Sequence, residues 1–410
     1  MVIRKEFSGM LQSFELEEVE ERVGVLFENC LNHINNGREE HISIKVQIGF
    51  GKDDRIAAFA DKTRGGEYII EVNMSSYFII YSFCHCIVLQ EIYPIISYND
   101  SEDKRGFYAE LLTAIMLDIL LYHEIGHIVN GHIDYIKDRE KESNIINDLP
   151  YAFSYVGKKA RPFISPEEWQ ALEWNADDFS ASRIVEKYLS SDTIEKLRLQ
   201  GPQQAVAIIV SSYTALYTLM EMGVRCENAE EYKSFEHLPK RIRLEKSLAS
   251  VYDYFNSFKS YRIGKESKEY LEYYKKIFER WTGLFLKNYF LDYDFIQIDE
   301  NNNLEELDDE HREYYKRVEN YYLMNLPLIL DKYAKIVICD PASMVKGALL
   351  NMIQKLHEDI DINDMEIVKE RIEGGANEKA VLRLFINCPF VCSNFDFFWL
   401  NKARQLYMDF

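Results

Sequence analysis

The sequence has no regular cysteine framework, no excess of positive charge, and no apolar core of signal-peptide length in its opening residues. Its seven cysteines, Cys30, Cys84, Cys86, Cys226, Cys339, Cys388 and Cys392, are odd in number and scattered. That argues against a disulfide scaffold and for reduced thiols in a cytoplasmic protein. Cys84-His85-Cys86 looks like a metal fragment, but it lies inside an apolar run, and adjacent residues on a helix do not converge on one ion. Cys388 and Cys392 have finger-like spacing without the second pair that four ligands need. With 48 basic residues against 68 acidic ones the net charge is −20, so neither nucleic acid nor an anionic membrane is expected as a partner. A basic polypeptide remains compatible with that charge.

At 410 residues, with 47% hydrophobic and 28% charged side chains, the composition is that of a globular protein large enough for two domains. Three apolar stretches, residues 75–97, 108–122 and 205–220, raise the question of membrane spans. They carry His85, Gln90 and Glu91, then Glu110 and Asp118, then Ser, Thr and Tyr, so buried helices are expected instead.

The second of these runs ends in His123-Glu124-Ile125-Gly126-His127, continued by Ile128-Val129-Asn130-Gly131-His132. On a helix, positions i and i+4 share a face, so His123 and His127 can point nitrogens at one metal ion. Glu124 sits one residue round, where a base can take a proton from water activated at the metal. Gly126 permits close approach by a neighbour, and Gly131 is a natural residue just beyond a helix end. A catalytic zinc site needs a third protein ligand. His132 lies nine residues after His123 and Gly131 eight after it, which does not match the metzincin spacing.

The stronger candidate is downstream. Ser165-Pro166-Glu167-Glu168 opens a helix with a cap, a proline at its first position and acids in its first turn, and the helix is expected to run to about Leu189. Glu173 and Asp177 are i and i+4 on it, with Ala176 and Ala181 as small packing positions. Glu173 completes a His₂Glu ligand set, and Asp177 can accept the outer N–H of a ligand histidine.

HExxH followed by a helix bearing Glu-x-x-Ala-Asp resembles the gluzincin metallopeptidases, in pattern the compact cytosolic and phage-related zinc peptidases and the M48 type. His237-Leu238-Pro239-Lys240-Arg241-Ile242-Arg243 is similar to a His-Pro-Pro-x-x-x-Arg element of the latter, with Leu238 in place of the first proline. The resemblance spans residues 65–250. It implies a bound Zn²⁺, a protein or peptide substrate, and His237 and Arg243 as stabilisers of the tetrahedral intermediate. An ordinary basic helix start explains the same two residues. Other functions compatible with the motifs are a zinc-stabilised regulatory or binding protein with vestigial catalysis, and a defence-type protease with one target.

Around these motifs, an amphipathic helix is expected over Ser13–Asn36. Strands are expected over His41–Phe50, Arg55–Asp61 and Glu67–Asn73, the last two joined by a turn at Lys62–Gly66. By analogy with zinc peptidases the strands form a small antiparallel sheet with Glu67–Asn73 as the substrate-binding edge, an interior position being the alternative. The segment 132–165 reads as a polar loop, a flap or substrate-gating insertion or equally a plain surface loop. Beyond Ser250 the chain is Tyr-, Lys- and Glu-rich with helical spacing, an acidic run at 299–310, and helices near 310–335, 341–358, 364–373 and 377–387. The expected architecture is therefore α+β and mainly α-helical, with a zincin-like domain over 1–250 and a helical accessory domain over 251–410.

Overall fold

The computed structural model describes residues 2–7, 10–36, 38, 40–49, 56–85, 105–142, 163–220, 238, 240–257, 265–289 and 309–335. These residues are mainly helical, with a small three-stranded sheet beside the helices. The expected helices at 341–358, 364–373 and 377–387 lie outside the described residues, as do 143–162, 299–308 and all the cysteines except Cys30 and Cys84. Those two are free thiols and buried.

The chain begins with an antiparallel hairpin of β1 (Val2–Phe7) and β2 (Met10–Glu15). The pairing continues to Glu15, so the first helix, α1 (Leu16–Asn35), starts after the last ladder residue rather than at Ser13. Val19, Val23, Phe27, Cys30, Leu31 and Ile34 are buried along α1, the spacing of one helical stripe. The Asn35 side chain donates to Ile42 O and accepts from Ile42 N, which sets the entry into the sheet.

That sheet comprises β3 (Ile44–Gly49), β4 (Ala58–Lys62) and β5 (Tyr68–Asn73) in the order β3-β5-β4. It is mixed and not antiparallel throughout, because β3 pairs with β5 in parallel. The turn at Lys62–Gly66 makes β4 and β5 a hairpin, closed by Thr63 N–H to Glu67 O at 2.8 Å with Gly66 at φ +88°. β3 then adds to the other side of β5. The segment Glu67–Asn73 is thus the interior strand, and the analogy that made it the edge is corrected: among the described residues β3 and β4 flank it.

α2 (Met74–Phe83) follows directly from β5 and is buried almost throughout. α3 (Arg105–Val129) carries the HExxH residues in its last two turns. Its segment Gly106–Val129 is long and apolar enough to cross a membrane, yet 94% of its most apolar window is buried inside the protein. α4 (His132–Glu142) replaces the first part of the expected loop, with Ile133 and Ile136 turned into the core. α5 (Pro166–Tyr188) begins as the sequence suggests: Ser165 Oγ accepts from Glu168 N at 3.1 Å, with Pro166 in the first turn. After it come α6 (Ser191–Lys196), α7 (Pro202–Met220), α8 (Lys240–Ser257), α9 (Lys265–Tyr289), α10 (Asp309–Met324) and α11 (Leu326–Tyr333).

α5 is buried on almost every face, so its polar side chains need partners inside the protein. Tyrosines of the later helices supply several: Tyr314 OH donates to Gln170 Oε1 at 2.9 Å, and the Tyr322 ring packs on Trp174 at 4.7 Å. Phe278, Phe285, Tyr314, Val318 and Tyr322 share one hydrophobic core with α3, α5 and α7. On the sheet side, Asp134 accepts from Lys62 Nζ at 2.7 Å, Tyr68 OH at 2.5 Å and Lys335 Nζ at 2.5 Å, so it ties α4 to the β4–β5 hairpin and to the end of α11. Burial alone would raise the Asp134 carboxyl, but these hydrogen bonds outweigh it and bring the pKa down to about 2.

Candidate metal centre

The site is made where α3 and α5 cross. At Gly126 a Cβ would lie 3.1 Å from Phe179 Cδ1 and 3.4 Å from Ala176 Cα, so glycine opposite alanine sets how near the two helices come. That approach carries Glu173 to the paired histidines of α3.

The three side chains meet through their ligand atoms. His123 Nε2 and His127 Nε2 are 3.1 Å apart, Glu173 Oε2 is 3.3 Å from His123 Nε2, and Glu173 Oε1 is 3.5 Å from His127 Nε2. All are buried, and they form a group that could hold a metal ion.

Behind this triangle lies a second layer. Asp177 Oδ1 is 2.8 Å from His123 Nδ1 and also accepts from Arg243 Nη2 at 2.5 Å, while Asp177 Oδ2 accepts from Arg243 Nε at 2.6 Å. Arg243 Nη2 stands 3.9 Å from Glu173 Oε2, and its guanidinium carbon is 5.4 Å from the Tyr217 ring centre. The fork of Arg243 is thus directed at the carboxylates of α5. His237 lies outside the described residues.

Glu124 is 1% exposed, and its Oε2 has no hydrogen-bond partner. The backbone N–H of Ala60 on β4 lies on the side of its carboxylate and favours the ionised form against burial. The ladder explains why that N–H is available: Ala57 and Thr63 turn their polar groups to β5, and the alternation of an antiparallel pair turns those of Ala60 the other way.

The charges are unbalanced. Among the described residues, Glu124, Glu173 and Asp177 face one guanidinium, that of Arg243, so this group when fully ionised is two positive charges short. Burial would lower His123, but Asp177 and Glu173 lift it to about 9; burial pushes Glu124 up to about 8 against the pull of His123. A divalent cation meets the same deficit.

Three residues that pattern reading did not place are Ala60, Asn130 and Asn175. Nothing in a helix or strand period marks them, because each contributes one polar atom across a tertiary contact. His132, weighed as a ligand by spacing, instead stands behind His127, with Nδ1 3.0 Å from His127 Nδ1. Burial pushes its pKa down to about 3, so the ring is neutral. Cys84 lies against Met116 Sδ at 3.9 Å, whereas His85 stacks on Tyr81 at 3.9 Å between ring centres, so these neighbours do not converge.

No protein-family model, no curated protein and no solved structure matches the chain.

Proposed function

We propose that the protein is a zinc metallopeptidase of the gluzincin type, hydrolysing a peptide bond in a protein or peptide substrate. His123, His127 and Glu173 hold the ion, and Glu124 is the general base. The observation that carries this reading is the convergence of the three side chains. Ligands bound about 2.0–2.1 Å from a tetrahedral zinc stand about 3.3 Å apart; the two histidine Nε2 atoms are 3.1 Å apart, and Glu173 turns Oε2 to His123 at 3.3 Å and Oε1 to His127 at 3.5 Å. The buried charge deficit of two supports a divalent ion in the same place.

When bound, zinc lowers the pKa of a water to about 7 and polarises the scissile carbonyl. The protein's own groups do the rest. Asp177 Oδ1, 2.8 Å from His123 Nδ1, favours a proton on that nitrogen and so leaves the Nε2 lone pair for the ion. Glu124 takes a proton from the attacking water and delivers it to the leaving amine. The Ala60 N–H favours the ionised form of its carboxylate. Arg243 keeps Asp177 ionised; its engagement with that carboxylate favours a role in holding the ligands over the contact with the tetrahedral intermediate that the family pattern suggests.

The burial of the ligands and of Glu124 favours one other reading, a zinc site that stabilises a binding protein. A purely structural site has no use for a buried carboxylate beside the ion. The test is a search for new peptide N-termini after incubating the protein with a mixed proteome. Under the proposal, cleavage appears, stops with 1,10-phenanthroline and returns with zinc. Cleavage indifferent to the chelator rejects it, and a mixed proteome left uncut by fully zinc-loaded protein favours the structural site.

A further inference from the structure

His127 faces the triangle with Nε2 and the protein interior with Nδ1, and what lies behind Nδ1 decides which nitrogen carries the proton. His127 Nδ1 is 3.0 Å from His132 Nδ1, His132 Nε2 is 3.0 Å from Asn175 Oδ1, and Asn130 Nδ2 donates to that same oxygen at 2.7 Å. An amide oxygen only accepts, so His132 Nε2 carries a proton. The two facing Nδ1 atoms share one proton, and an imidazole that offers Nε2 to an ion carries its own proton on Nδ1, so His127 donates and His132 Nδ1 accepts. The proton between the two rings therefore belongs to His127 Nδ1, and His127 Nε2 is a lone pair.

We infer that His132 and Asn175 are positioning residues that hold His127 in the Nδ1–H tautomer with its Nε2 lone pair turned to the ion. This inference rests on the metal site proposed above. Asp177 does the same for His123, at 2.8 Å, with a carboxylate. The difference between the two supports follows from charge. A second buried carboxylate behind His127 would exceed what a divalent ion can balance, whereas a neutral imidazole and amide orient the ring without adding charge.

Local backbone brings His132 into place. α3 ends with Asn130 N–H bonded to Gly126 O at 2.9 Å and Gly131 N–H bonded to Ile128 O at 3.2 Å. Gly131, at φ +76°, turns the chain so that His132 begins α4 beneath His127. A Cβ at Gly131 would lie 2.2 Å from the Tyr333 carbonyl oxygen, so the turn has room for glycine alone. The stretch His127-Ile-Val-Asn130-Gly131-His132 is thus one unit, a ligand with its support delivered five residues later.

The test uses zinc itself, titrated into metal-free full-length protein against a chelator of known affinity. His132→Phe and Asn175→Leu are each expected to weaken zinc binding by about 10- to 100-fold. Asn175→Asp keeps an acceptor oxygen but adds one unbalanced buried charge, so it is expected to bind zinc more tightly than Asn175→Leu and less tightly than wild type. Zinc affinity unchanged in both His132→Phe and Asn175→Leu would overturn the inference. Should a variant fail to fold, the wild-type tautomers decide, read from long-range ¹H–¹⁵N correlations of histidine-labelled, zinc-loaded protein. His132 protonated at Nε2 and bare at Nδ1 supports the relay, and His132 protonated at Nδ1 overturns it. A wild type that takes up no zinc at all fails the metal reading itself, which is a distinguishable result.

Discussion

Glu124→Gln is expected to keep zinc bound and to lower peptide cleavage by about 10²–10⁴-fold, the usual contribution of a positioned general base. The substitution is nearly isosteric. The residue is buried, so the packing around it holds the side chain where it is. What disappears is the ability to receive a proton. Glu124 is not one of the three side chains whose ligand atoms form the triangle, so zinc content measured on the same preparation should be that of wild type. Cleavage within tenfold of wild type would remove Glu124 from the mechanism. Loss of zinc together with activity would make it a ligand instead.

The second large effect is on stability. Arg243 is 2% exposed and makes two hydrogen bonds to Asp177, which is itself buried. Arg243→Met retains much of the volume but leaves Asp177 and Glu173 without their fixed positive partner. Removing one member of a buried ion pair costs about 3–5 kcal/mol, because the survivor stays desolvated. Denaturant unfolding of metal-free protein should show a loss of that size, and Arg243→Lys should recover only part of it, since an ammonium cannot match the forked contact. A residue that served mainly the reaction intermediate would behave differently: stability would be unchanged to within about 1 kcal/mol while turnover collapsed. That result would restore the role the family pattern gives to Arg243.

Much of the site was legible in the sequence because its residues lie at helical spacings. His123 and His127, and then Glu173 and Asp177, are both i, i+4 pairs, and the structure places the two pairs against each other. The Ser165-Pro166 start of α5 was equally readable, since capping chemistry is local. What could not be read was which strand lies inside the sheet. Strand period gives faces and not neighbours, and β5 is interior only because the β4 hairpin takes one side and β3, distant in sequence, takes the other. The same holds for Ala60, whose N–H reaches Glu124 because of ladder parity, and for Asn175, which acts through His132. The start of α4 was hidden by its charges: Asp134 and Lys137 look like loop residues until Lys62, Tyr68 and Lys335 are seen to pair with Asp134.

Elemental analysis of metal after zinc loading and desalting tests the central claim most directly. It is done on wild type, His123→Ala and Glu173→Ala, loaded and desalted under identical conditions. About one zinc per chain is expected in the wild type and none in either variant. A wild type that retains no zinc, or a Glu173→Ala protein that retains it in full, would contradict that claim.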